Sequence, residues 1–264
     1  MTRNSASYWQ FLIKSKGRHG VHSPFVFDLV DKGLTAKVDK NFLKERKKWL
    51  NELAKNTEKF EVTDLGAGSH QLKKQRSVAE LARHASSKGI YGNLIWRLTH
   101  YFKPKTILEL GTSIGTGTIT MKHAAPDSQL FTIEGCPQTE LRAIHQIERW
   151  GLKGVTTFCM DFQEFLAQDS HHKYDLVFID GNHQGSALLN YMQLLESKTH
   201  AETLFILDDI RWSSDMWDAW QQLVTSDKYH VTIDMGRMGL IWKRPQQTKE
   251  HFYQRPVVWR NRFF

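Results

Sequence analysis

The stretch TILELGTSIGTGT, residues 106–118, decides the fold. Ile107, Leu108 and Leu110 form a short apolar run of the kind that fills a buried strand. Gly111, Gly115 and Gly117 then mark a turn through which a ligand can approach the backbone closely, opening onto a helix. The order of the glycines separates loop types. A dinucleotide fingerprint reads G-x-G-x-x-G and sets a pyrophosphate on the helix N-terminus. Here the order is G-x-x-x-G-x-G. A P-loop needs Gly-Lys-Ser/Thr after its glycines, and none follows. Glu109, two residues before Gly111, would repel a polyphosphate and suits a cationic ligand.

Outward from this stretch the chain alternates. Strands are expected at 106–110, 129–134, 154–158, 174–179 and 203–208, and helices at 115–124, 138–150, 162–168, 184–197 and 214–225. Two further strands, 229–235 and 238–243, meet at Gly236-Arg237 as an antiparallel edge hairpin. Such alternation demands a parallel sheet covered on both faces. The expected fold is therefore α/β: a Rossmann-like, seven-stranded, mostly parallel sheet with helices on both faces. An N-terminal extension precedes it, with helices expected at 5–16, 24–33, 39–56, 75–87 and 90–102, the last ended by Lys103-Pro104. The expected organisation is a helical extension over 1–89, the main domain over 90–245 and a basic, aromatic tail over 246–264. That tail either packs back on the sheet or stays loose.

Composition sets outer bounds. Hydrophobic content of 40% with 24% charged residues is ordinary for a soluble globular chain. No apolar run nears the roughly 18 residues of a membrane span, and the N-terminal run Phe11-Leu12-Ile13 stops at Lys14, too short for a signal peptide. Cys136 and Cys159 are too few for a thiol metal cage, and reduced thiols in the cytoplasm are expected. The net charge of +8 is uneven: residues 1–60 carry 13 basic against 6 acidic side chains, residues 106–245 carry 11 against 18. The basic arms are either solvated helix faces or recruit an anionic substrate, a nucleic acid or a membrane surface. They lack the interleaved glycine and aromatic signature of RNA binders.

In open α/β sheets ligands bind beyond the carboxyl ends of the strands, so each strand's last residues are site candidates. The second strand ends in Glu134-Gly135, where a carboxylate can accept from paired hydroxyls or simply face solvent. The third leads to Met160-Asp161-Phe162, where Asp161 either accepts from an amino group or caps the next helix. The fourth ends Asp180-Gly181-Asn182-His183, the fifth Asp208-Asp209-Ile210-Arg211-Trp212. Three carboxylates at neighbouring strand ends are costly without a cation between them. As an oxygen-rich set they suit a hard ion such as Mg²⁺. The alternative use, helix capping, is better served by Ser213 and Ser214.

The glycine loop with its preceding acid resembles the first motif of the class I S-adenosylmethionine-dependent methyltransferases, whose cofactor carries a sulfonium and an ammonium. Asp180-Gly181-Asn182-His183 with Asp208-Asp209 resembles the small-molecule O-methyltransferases of the macrocin type and, more distantly, the catechol type, which has Asp-Asn for the second pair. The Asn/Asp-Pro-Pro-aromatic sequence of adenine- and glutamine-directed N-methyltransferases is absent. The resemblance covers residues 90–245. It implies S-adenosylmethionine on Glu109, Gly111, Thr112, Ser113, Gly115, Glu134, Gly135, Asp161, Phe162 and Asp180, and Mg²⁺ on Asp180, Asp208 and Asp209. It implies His183 as the base for a substrate hydroxyl, with Asp180 as the fallback, although a lone histidine is as readily structural. The N-terminal helices then serve as a lid or a dimer contact, with His19 or His22 reaching substrate or merely forming a turn. A second glycine turn, Asp64 to Ser69, is expected as a loop near the cofactor mouth. Trp217 and Trp220 are expected to pack on the sheet, and Trp212 to flank an acceptor. The expected activity is cytoplasmic methyl transfer to a hydroxyl of a small molecule with divalent-metal help. The alternatives are a metal-independent methyltransferase acting on nucleic acid or another acceptor, and a non-catalytic cofactor-binding protein.

Overall fold

The computed structural model describes residues 5–15, 21–64, 72–85, 88–169 and 173–256. The N-terminal part comprises α1 (Ser5–Lys14), α2 (Pro24–Asp28), α3 (Lys40–Leu53), a hairpin of β1 (Lys59–Asp64) and β2 (Leu72–Ser77), α4 (Val78–His84) and α5 (Gly89–Phe102). The alternating part follows as β3 (Thr106–Leu110), α6 (Thr116–Ala124), β4 (Gln129–Glu134), α7 (Pro137–Arg149), β5 (Val155–Cys159), α8 (Phe162–Gln168), β6 (Tyr174–Ile179), α9 (Gly185–Leu194), β7 (Thr199–Leu207), α10 (Ser214–Thr225), β8 (Val231–Asp234), β9 (Gly239–Trp242) and β10 (Glu250–Tyr253).

The main sheet has the order β10-β8-β9-β7-β6-β3-β4-β5. Strands β5, β4, β3, β6 and β7 run parallel, while β9 is antiparallel to both β7 and β8. Strand order reverses between β3 and β6, which opens a crevice at their carboxyl ends. The central strands are apolar on both faces because both faces are covered. Leu176 and Phe178 of β6 and Leu204 and Ile206 of β7 join a core with α2 and α5. Their neighbours Val177, Ile179, Phe205 and Leu207 join a second core with α8, α9 and α10. A third cluster ties Phe42 and Trp49 of α3 to Phe60 of β1 and Ile119 of α6. No helix among the described residues is long and apolar enough to cross a membrane.

Three departures from the sequence expectation have local causes. The tail supplies an eighth strand: β10 pairs with β8 in parallel, Glu250 opposite Val231. Residues 75–87, expected as one helix, divide at Ser77. Residues up to Ser77 pair antiparallel with β1, and α4 starts at a capping box in which Ser77 Oγ accepts from Glu80 N at 3.2 Å and Glu80 Oε2 from Ser77 N at 2.7 Å. Glu61 and Thr63 obscure β1 in the sequence because a two-stranded hairpin buries only part of one face; Phe60 is buried there. The glycine turn at residues 65–69 lies outside the described residues, as does His19.

One buried ion pair joins the sheet edge to the N-terminus. Arg211, in the loop after β7, donates from Nη1 to Asp234 Oδ1 at 2.9 Å and from Nη2 to Asp234 Oδ2 at 2.5 Å. Both side chains are buried. Arg211 also donates to the carbonyls of Gly236 and of Ser7 in α1, and its guanidinium lies 4.4 Å from the Trp217 ring centre. Asp234→Ala would leave a buried guanidinium without its counter-charge. The expected loss is about 3–5 kcal/mol of unfolding free energy, read from the midpoint shift in urea at constant slope.

Candidate functional site

The glycine loop adopts a conformation that few residues tolerate. Gly111 has φ +106°, and a Cβ there would lie 2.3 Å from the Asp180 carbonyl oxygen. The loop after β3 therefore touches the loop after β6, and Asp180 N donates to Leu110 O at 2.8 Å. Ser113, Asn182 and Asp209, one in each of three neighbouring strand-end loops, are left-handed at φ 51°, 49° and 51°. Such backbone clusters at functional sites because the surrounding structure must enforce it.

Glu134, at the end of β4, is held by two backbone amides: Ser113 N to Oε2 at 2.9 Å and Cys136 N to Oε1 at 3.0 Å. Each oxygen keeps a further lone pair for a ligand hydroxyl. Burial pushes this carboxyl up to about 7, against the backbone amides of Cys136, Ser113 and Gly135. Glu109 is placed differently from the expectation. It is buried behind the loop, where Oε2 accepts from the hydroxyls of Thr118 and, at 2.8 Å, Thr132. A Cβ on Gly117 would strike its Oε1 at 2.1 Å. Burial pushes Glu109 up to about 7 against those hydroxyls. Thr112 is also buried, its Oγ1 2.5 Å from Thr132 Oγ1, and Gly115 precedes α6 at φ +81°. Glu109, Thr112 and Gly115 thus shape the loop from behind instead of lining the cleft.

The cleft in front measures about 850 Å³ including its open mouth. Gly111, Ser113, Glu134, Gly135, Asp161, Phe162 and Asp180, all expected from the sequence, line it. Asp161 serves as the α8 cap, Oδ1 accepting from Gln163 N at 2.8 Å and Glu164 N at 3.2 Å. The sequence reading gave no role to Met160, Gly181, Asn182 and Tyr191, nor to the hairpin residues Val62, Thr63 and Arg76. Asn182 donates from Nδ2 to Tyr191 Oη at 2.9 Å, while its Oδ1 is buried without a partner. An unpartnered buried acceptor in a ligand-sized cleft fits a ligand that brings a donor. An N–H-bearing base, a ribose diol for Glu134 and a close backbone approach at Gly111 together fit S-adenosylmethionine. Tyr191 lies a helical turn or more past the quoted motif and carries no signal of its own. The hairpin reaches the cleft only through tertiary contact, where Thr63 N lies 3.4 Å from Cys136 Sγ.

Beside the cleft stand His183, Asp208, Asp209 and Trp212. His183 Nε2 is 3.9 Å from Asp209 Oδ2, and its ring centre is 5.4 Å from that of Trp212. Ser213 caps α10, accepting from Met216 N at 3.2 Å, so Asp208 and Asp209 are not caps. Trp220 is fully buried against Gly239, whereas Trp212 is exposed. The aspartate pair meets Arg237, which the sequence reading treated only as a turn residue. Arg237 Nε and Nη2 donate to Asp208 Oδ1 at 2.9 Å and Oδ2 at 2.6 Å. The same nitrogens reach Asp209 at 3.0 and 3.3 Å. Among the described residues no three His, Cys, Asp or Glu side chains are grouped to hold a metal ion. Asp180, Asp208 and Asp209 as arranged do not fit Mg²⁺, because a guanidinium already engages both oxygens of Asp208.

Comparisons with known proteins converge on this domain. A family model described as "Methyltransferase domain" matches residues 108–210. A catechol O-methyltransferase of Niastella koreensis is 29% identical over 124 residues, 45% of this chain and 55% of that protein, so the chain spans about half the length of the curated relative. The O-methyltransferase of Bacillus cereus, solved with SAH, superposes with a TM-score of 0.53 at 15% identity, covering 81% of this chain and 95% of that one. An SAH-bound methyltransferase of Podospora anserina gives 0.53 at 13% identity, covering 79% and 98%. Residues 108–210 match a methyltransferase domain, and the chain that carries them has the fold of the class I methyltransferases on which it superposes.

Proposed function

We propose that the protein transfers a methyl group from S-adenosylmethionine to a hydroxyl of a small molecule, with His183 as the base. The observation that carries this reading is the adjacency of two sites at the carboxyl ends of the central strands. The cleft holds Glu134 and the orphaned Asn182 Oδ1, and the His183–Asp209 pair stands beside it across Asp180. Catechol methylation by the Niastella koreensis relative points the same way.

In this reading Glu134 accepts the ribose hydroxyls, and Asn182 and Asp161 accept from the adenine edge while Phe162 flanks its face. The backbone around Gly111 gives the rest of the molecule room. When bound, S-adenosylmethionine supplies a methyl group on a sulfonium, a strong electrophile. A neutral alcohol is a poor nucleophile, so the chain must remove its proton. His183 takes that proton, and Asp209 stabilises the imidazolium that results. Trp212, exposed beside His183, flanks the acceptor. The division into an extension over 1–89, a methyltransferase domain over 90–245 and a tail over 246–264 is proposed with two amendments. The extension contributes its hairpin to the cofactor cleft, and the tail contributes an edge strand.

Three measurements test this reading. Calorimetric titration of S-adenosylmethionine should show binding that Glu134→Ala weakens by about tenfold to a hundredfold, the scale of losing one or two hydrogen bonds to a charged group; equal affinity for the variant would remove the ribose assignment. Only the ionised Glu134 accepts from both hydroxyls, and burial holds it near 7. Affinity should therefore rise with pH and level off above neutrality, being roughly tenfold weaker at pH 6 than at pH 8, and Glu134→Gln should flatten the profile. His183→Ala, assayed by label transfer to a panel of hydroxylated acceptors, should lower kcat by about a hundred- to ten-thousand-fold with cofactor affinity unchanged.

A further inference from the structure

The strongest unexplained feature of the molecule is the cation already present among the strand-end aspartates. Arg237 is no loose surface side chain. Its amide donates to Tyr91 Oη at 3.1 Å, and its carbonyl accepts from Ile210 N at 3.0 Å. It sits in the β8–β9 turn, which the Arg211–Asp234 pair fastens through Gly236 on both its carbonyl and its amide. So placed, its guanidinium forms a two-pronged pair with buried Asp208 and spans Asp209.

We propose that Arg237 is a built-in substitute for a divalent ion: it neutralises the Asp208–Asp209 pair and offers its remaining nitrogen, Nη1, to the acceptor oxygen. The inference deepens the methyl-transfer reading and rests on it. Three observations support it. First, Nε and Nη2 are spent on the aspartates, while Nη1 donates to no described residue and 29% of the side chain is exposed. A donor therefore remains for a ligand. Second, His183 leans on the same Asp209, so a proton acceptor and a fixed cation converge on one carboxylate. Third, a guanidinium fork matches carboxylate geometry and does not deprotonate, so it excludes a competing cation instead of exchanging with it. Mg²⁺ requires open oxygens in near-octahedral array, and Arg237 covers those of Asp208. The chemistry differs from Lewis-acid help: Nη1 stabilises developing negative charge on the acceptor oxygen by a charge-assisted hydrogen bond.

The test is titration of Mn²⁺, by calorimetry and by electron paramagnetic resonance, into the full-length wild-type chain and into Arg237→Ala and Arg237→Gln, each with SAH present. S-adenosylmethionine affinity is measured on the same samples. The wild type should show no saturable Mn²⁺ site over the range in which the variants bind one ion, and removal of the guanidinium should tighten Mn²⁺ binding by about tenfold or more. Asp208→Asn placed on either variant should abolish the gain. A wild-type Mn²⁺ site that Asp208→Asn removes would overturn the proposal, as would folded variants that gain no Mn²⁺ binding. Should both variants fail to fold, the wild-type titration decides alone. A wild type that binds no S-adenosylmethionine would instead overturn the methyl-transfer reading, leaving the Mn²⁺ result to report on Arg237 alone.

Discussion

The Arg211–Asp234 pair is the contact on which the arrangement of the strand-end aspartates Asp208 and Asp209 depends. It is made of two buried charges joined by two hydrogen bonds, with further bonds to Ser7 and Gly236, and it draws together α1, the loop after β7 and the β8–β9 turn. Pairs of this kind add little net stability compared with an apolar substitute, but losing one partner is severe. Their value lies in fixing geometry. Here what is fixed is Arg237, the residue after Gly236, and through it the orientation of Asp208 and Asp209.

The cofactor side obeys a steric constraint instead. The loops after β3 and β6 approach until only a glycine fits at position 111. That approach brings Glu134, reached through Ser113, and Asn182 into the lining of one cleft. Glu109 is buried behind the loop and bonded to threonines. It shares with Glu134 a carboxyl raised by burial to about 7. One of them faces the cleft and the other the core, so of the two only Glu134 is placed to meet a ligand.

Much of this was legible in the chain because the signals are local. Strands β3, β4 and β6 and helices α8 and α10 fall on the expected residues, being short apolar runs or helical repeats with a capping Asp161 or Ser213. Seven expected cleft residues follow from a topological rule that needs only the position of a strand's carboxyl end. The hairpin escaped notice because β1 alternates over too few residues to separate from a loop, and β10 because an edge strand in a charged tail has almost no apolar signature. The role of Glu109 was misplaced for a different reason: a carboxylate before a glycine loop reads the same whether it points outward or inward.

By itself the sequence determined the doubly covered parallel sheet, the glycine-loop class and the acids at the strand ends, since periodicity, glycine order and strand termini are properties of short segments. Only the tertiary structure decided what those acids do. Arg237 is 28 residues from Asp209 and 29 from Asp208, and Arg76 and Thr63 meet the cleft across a separate hairpin. Charge neutralisation acts through space, and no spacing along the chain records which cation a carboxylate will find.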